Sequence, residues 1–101
     1  MRAAITSLAG LVVLAVSPVL QAADGDPAQL AMCTACHGQN GISVNPMWPN
    51  IAGQSQAYLV KSMKDYRDGV RKDCLMVPPV TGMSDADIES LAAYFSGLSG
   101  N

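Results

Sequence analysis

Cys33-Thr34-Ala35-Cys36-His37 is the stretch that decides how this chain of 101 residues folds. Cysteines three apart on a helical turn face the same way, and His37 follows one turn after Cys33. Three chemistries use such residues. A thioredoxin-like redox pair needs a βαβ setting, and no segment of the chain alternates with the period of a strand. A zinc site wants four ligands, which Cys33, Cys36, His37 and Cys74 could just supply. His37 adjoining Cys36 is awkward, however, in a tetrahedral cage built from that same turn. The third chemistry is covalent haem attachment, whose pattern is two cysteines, two spacers and a directly following histidine. The two sulfurs would then reach the vinyl groups along one haem edge. The imidazole of His37, the single histidine of the chain, would meet the iron from the same side. The spacing favours haem.

Upstream, Asp26-Pro27 reads as an N-cap followed by proline at the first helical position, so a short helix from about Pro27 runs into the cysteines. Before it, Arg2 precedes an apolar run from Ala3 to Val16. Ser17-Pro18 breaks that run, and Leu20-Gln21-Ala22-Ala23 offers small residues for cleavage. This is the layout of a secretory signal. Residues 1–22 are expected to be a signal peptide and residues 23–101 the mature domain, exported to the periplasm. The stretch from Ala3 to Leu20 is 18 residues, at the lower limit of a membrane span. Its short apolar core and the small residues after the break favour cleavage over an uncleaved anchor.

Downstream, residues 38–53 are rich in Gly, Asn and Pro and read as one long irregular loop. A loop of that length in so small a domain is expected to wrap something. A helix begins at Ser55, with Leu59, Met63, Tyr66 and Val70 on one face and Gly69 as its stop. A second loop spans Arg71 to Met83 and holds Pro78-Pro79. Ser84 with Asp87 resembles a capping box. It opens a last helix with Ile88, Leu91, Ala92, Phe95 and Leu98 inward and Gly97 or Gly100 at its end. The expected fold class is all-α: three main helices and long loops wrapped around one covalently attached haem.

Without residues 1–22 the chain keeps 79 residues and a net charge of −3, from five Lys/Arg against eight acids. A domain of that size builds only a marginal core. A large apolar cofactor would complete it. The acidic balance excludes the basic footprint of a nucleic-acid binder. The cations cluster between Lys61 and Lys72 together with Asp65, Asp68 and Asp73, which reads as a solvated helix face ahead of a docking patch for an acidic partner.

From Leu30 to Leu98 the chain resembles the class I c-type cytochromes, of the single-haem bacterial kind or one half of the periplasmic dihaem cytochromes. The matching stretches are Cys33 to Gly38, Trp48-Pro49-Asn50-Ile51-Ala52-Gly53-Gln54, Tyr58-Leu59, Asp65 to Arg71, Leu75-Met76, Ser84 to Ile88 and Leu91 to Phe95. The resemblance implies one haem c held through Cys33 and Cys36, with His37 and Met76 as the axial iron ligands. It implies that Pro49 lends its carbonyl to Nδ1–H of His37, and it places Trp48 and Tyr66 in the haem pocket. Met83 falls on a position that packs in the core. Met47 lies in a turn, Met63 on a core-facing helix, and Met32 on the His37 side. The first helix starts later than is usual in the family, leaving Ala28 or Ala31 at its crossing with the last helix. Cys74 is the odd cysteine. A buried small side chain, an intermolecular disulfide or free thiol, and a thiolate ligand all stay open for it, ligation being the least favoured.

A His/Met pair leaves iron no vacant site, so the resemblance implies an electron carrier and not an enzyme. Its partners would be redox proteins, a donor dehydrogenase and an acceptor oxidase or reductase, with no nucleic acid and no small-molecule substrate. A disulfide-linked dimer or partner through Cys74 stays open. Two alternatives remain. One is a cytochrome subunit of a periplasmic oxidoreductase complex. The other is a ligand-binding or catalytic haem, if Cys74 or an open site replaces Met76.

Overall fold

In the computed structural model, which describes residues 3–4, 9–13 and 26–100, α1 spans Pro27–His37. Asp26 caps it, its side chain accepting from the N–H of Ala28 at 2.8 Å, and proline sits in the first turn, where its missing N–H costs nothing. Gly38 ends it at φ +88, and a Cβ there would stand 2.0 Å from the carbonyl oxygen of Ile42. Only glycine lets the chain reverse so sharply after His37. Most of the expected signal peptide, residues 1–22, lies outside the described residues. Among the described residues no helix is long and apolar enough to cross a membrane.

The loop after Gly38 is tied across its base. Gly41 accepts from the N–H groups of Ile51 and Ala52 at 2.9 and 3.1 Å, and Gly53 donates to Phe95 at 3.0 Å. Next, α2 spans Gln56–Arg67, capped by Ser55 Oγ accepting from Tyr58 N–H at 3.0 Å. It stops at Asp68, and Gly69 follows at φ +81. The N–H of Val70 then returns to Asp65 at 2.8 Å, as in a Schellman ending. Val70 is therefore past the helix and exposed, not on its inner face as the periodicity suggested.

The second loop contains a helical turn that the sequence reading missed: α3, Val77–Val80. Its prolines sit in the first turn of a helix, which tolerates them. The last helix, α4, spans Asp85–Ser96. The capping box is formed in both directions, Ser84 Oγ accepting from Asp87 N–H and Asp87 Oδ2 from Ser84 N–H, each at 3.0 Å. Gly97 is its C-cap.

Helices α2 and α4 pack along each other. Ile88, Leu91, Ala92 and Phe95 meet Leu59, Val80 and Met83 in the core, and Leu30 and Cys33 of α1 pack against it. Ala28 and Ala31 do not mediate the approach of α1, because both are exposed. Leu30, Cys33 and His37 recur on the helix face turned inward, which leaves the two alanines on the other side. A polar contact also joins α1 to α4: Gln29 Nε2 donates to Asp87 Oδ2 at 3.2 Å. All described elements are helical.

Candidate functional site

One cavity of about 290 Å³ opens between α1, the 38–53 loop, α2 and the segment before α3. Cys33, Cys36, His37, Trp48, Pro49, Tyr66 and Met76, the residues expected at the site, all line it. The long loop thus wraps a space, as its length suggested. Leu59, Val80 and Phe95 belong both to the core and to the cavity wall. An apolar group filling the cavity would therefore extend the core across them.

His37 is buried, with 7% of its surface exposed. Its Nδ1–H donates to the Pro49 carbonyl at 2.7 Å. That bond selects the tautomer in which Nε2 keeps its lone pair, the arrangement a metal ligand needs. The sharp turn at Gly38 and the ties at Gly41 bring Pro49 back to the ring. The two cysteines on this wall form no disulfide with each other. Burial pushes the Cys33 thiol up, and neighbouring Cys36 adds to the effect.

Four methionines reach the cavity: Met32, Met47, Met63 and Met76. Met47 is 82% exposed at the mouth, and Met32 stands on the same helix as His37. Met63 and Met76 are half-buried and pack against the core. Met83 is in the core itself, as expected, and does not reach the cavity. Cys74 is exposed and is not part of the cavity wall, so it is neither a buried packing residue nor placed as a ligand. No group of three or more His, Cys, Asp or Glu side chains converges among the described residues. The four-ligand zinc cage is thus not assembled.

The sequence reading did not single out Arg71 and Asp73, which also line the cavity. The Arg71 guanidinium lies 4.4 Å from the centre of the Tyr66 ring, a cation–π contact. Behind this wall, Arg67 joins three segments. Its Nη1 donates to the Met83 carbonyl at 3.3 Å and to Asp85 at 2.6 Å, and its Nε donates to Asp68 at 2.9 Å. The arginine holds both carboxyls below the usual range, with Lys64 assisting at each. The basic stretch is largely an ion-pair face, since Lys61 also pairs with Asp65. A second, wide-open groove between α2 and α4 has Lys61, Lys64, Asp65 and Glu89 on its walls. It offers no thiol, thioether or imidazole.

The donor set fits a covalently tethered haem: two thiols one helical turn apart, an imidazole with a ligand-ready nitrogen, soft thioethers and apolar walls. Comparison with known proteins agrees. Residues 22–99 match the family described as cytochrome c. The chain is 48% identical to cytochrome c-554(548) of Halomonas halodenitrificans over 71 residues, covering 67% of this chain and 86% of that one. It is 45% identical to cytochrome c4 of Pseudomonas aeruginosa over 69 residues, covering 68% of this chain and 34% of that one. A relative in Stutzerimonas stutzeri, described as a thiosulfate dehydrogenase electron acceptor, is 35% identical over 77% of this chain and 42% of its own length. The crystal structure of reduced recombinant cytochrome c4 from Pseudomonas stutzeri superposes with a TM-score of 0.61 at 30% identity, over 74% of this chain and 50% of that one. The chain thus spans most of the Halomonas protein but half or less of the others. Site chemistry, fold and relatives converge: the chain belongs to the cytochrome c family and carries one haem c, covalently bound through Cys33 and Cys36.

Proposed function

We propose that this chain is a periplasmic electron carrier whose haem iron is ligated by His37 and Met76, and that residues 1–22 are the signal peptide that exports residues 23–101. The haem supplies the one-electron couple between Fe(III) and Fe(II). The observation that carries the reading is the Nδ1–H bond of His37 to Pro49, because it orients Nε2 as a fixed donor on one wall of an apolar cavity. Met76 is the preferred second donor because it stands at the position the family resemblance gives to the ligand, with its side chain half-buried at the cavity and its N–H bonded to Asp73. A thioether there favours the reduced iron and raises the potential. Apolar walls from Leu59, Phe95 and Ile51 keep water away and limit rearrangement as the charge changes. Cys33 and Cys36 stand on a wall that is only half-buried, so the tethered edge of the ring is the natural exit for electrons.

A donor dehydrogenase and an acceptor oxidase or reductase are the partners this reading requires. The relative described as an electron acceptor for thiosulfate dehydrogenase supports such a donor class. The exposed Met47 and Leu75 at the cavity give a partner an apolar surface. Cys74, being exposed, is free to form a disulfide with another chain. If that bridge forms, oxidised protein run without reductant shows a dimer that reductant dissolves; if Cys74 stays a free thiol, it runs as a monomer in both.

The visible spectrum of the oxidised holoprotein tests the ligand pair. A weak long-wavelength iron–sulfur charge-transfer band is expected. It disappears in Met76→Ala, with the midpoint potential falling by about 0.1 V or more within the range axial ligands command, and persists in Met63→Ala. A band that survives Met76→Ala and is lost in Met63→Ala would move the ligand to α2.

A further inference from the structure

Asp73 spends its acceptors on the backbone that carries Met76. Its Oδ1 accepts from the N–H groups of Leu75 at 2.8 Å and of Met76 at 3.0 Å. Its carbonyl accepts from Val77 N–H at 3.0 Å. One residue thus satisfies three successive N–H groups. It serves as the N-cap of the turn in which Met76 is the third residue.

That turn has little else to hold it. Cys74 and Leu75 are exposed. Met76 opens α3 with no side-chain cap of its own, and α3 has only 4 residues, too few to be stable alone. Upstream, the strap is pinned to α2. The Asp65 carbonyl accepts from Val70 and Arg71 N–H at 2.8 and 3.0 Å, and Arg71 lies over Tyr66. Downstream, Thr81 closes α3 by hydroxyl and backbone bonds to the Val77 carbonyl. Between these anchors, Asp73 is the contact that sets the backbone at Met76.

We infer that Asp73 is a positioning residue for Met76: the acceptor geometry of its Oδ1, and not its negative charge, keeps the thioether turned into the cavity. The inference rests on Met76 being the second axial ligand. Losing a cap of this kind shifts the local equilibrium by about fivefold. A site opened more often binds a competing ligand more tightly in the same proportion. Asparagine retains the Oδ1 acceptor and removes the charge, so it separates the two causes.

The test is a spectral titration of the oxidised holoprotein with imidazole, which competes with the thioether for the iron. Asp73→Ala is expected to bind imidazole about fivefold more tightly than the wild type. Asp73→Asn is expected to stay within about twofold of it. Wild-type affinity in Asp73→Ala overturns the inference, as does an Asp73→Asn variant shifted as far as the alanine variant. Met76→Ala is the reference and must bind imidazole more tightly than either. If it does not, the ligand reading itself fails; if it does while Asp73→Ala is unchanged, only the role of Asp73 fails. Hydrogen exchange on the wild-type holoprotein gives a readout that no variant can spoil by misfolding. The Leu75 and Met76 amides are expected to be protected despite the exposure of their turn, and exchange at unprotected rates counts against the inference.

Discussion

The His37 wall of the cavity and the Met76 wall differ in how the chain builds them. The attachment residues and the proposed proximal ligand sit within five consecutive positions of α1, on one helical face, and one backbone carbonyl from Pro49 completes the arrangement. The Met76 wall is a strap between helices, assembled from contacts of different kinds. Asp73 caps the turn, Asp65 receives the start of the strap, and Arg67 reaches the Met83 carbonyl and Asp85, 16 and 18 residues away in sequence. A helix face is stiff because each turn supports the next. A strap is only as stiff as its anchors, so under the proposed ligation the Met76 side is where the second ligand can be weakened without losing the haem.

The largest effect should come from the stiff wall. Replacing both Cys33 and Cys36 with alanine is expected to abolish covalent haem, seen as complete extraction of haem from the denatured protein. Haem retained after denaturation would break the comparison at its root. The double variant should also melt far below the wild type, because the group covering Leu59, Val80 and Phe95 is no longer tethered to the chain.

A core substitution away from both walls sharpens the contrast. Leu91 is fully buried in α4 and is not part of the cavity wall. Leu91→Ala is expected to cost about 2–5 kcal/mol in denaturant unfolding, with the oxidised spectrum unchanged. A lost charge-transfer band in that variant would mean that the strap depends on the core as a whole and not on its own anchors.

The smallest expected effect is the acid dependence of the anchors at α4. Backbone and side-chain bonds with Ser84, together with Gln29, hold the Asp87 carboxyl below its usual range, and Arg67 does the same for Asp85. Groups depressed in the folded state contribute stability above their ordinary value, here 3.8. That contribution is lost as pH falls through the depressed values. The melting temperature should therefore decline below about pH 4, and Asp87→Asn should show a shallower decline. Equal slopes in both proteins would remove the capping box from the account.

The same contrast explains what the sequence disclosed. Cys33 to His37 could be read directly because every relation within it is local. The capping box at Ser84 and the inner face of α4 were legible for the same reason. Other features were hidden. Pro78-Pro79 reads as loop punctuation, yet both prolines fit the first turn of α3. Asp73, four residues before that helix, carries an N-cap signal that the prolines obscure. Val70 continues the spacing of α2 but falls after the Gly69 turn, where periodicity no longer applies. Cys74 beside Met76 was ambiguous until its exposure was known. The reach of Arg67 depends on how α2 and α4 pack, and no local pattern encodes it.

A redox titration of the holoprotein with and without carbon monoxide tests most directly whether the haem is a one-electron couple at an iron closed on both sides. The account predicts a single one-electron wave that carbon monoxide leaves in place, because His37 and Met76 occupy both axial positions in the reduced form. A wave that moves upward under carbon monoxide, with the gas bound to the reduced protein, would contradict it and make this haem a ligand-binding centre.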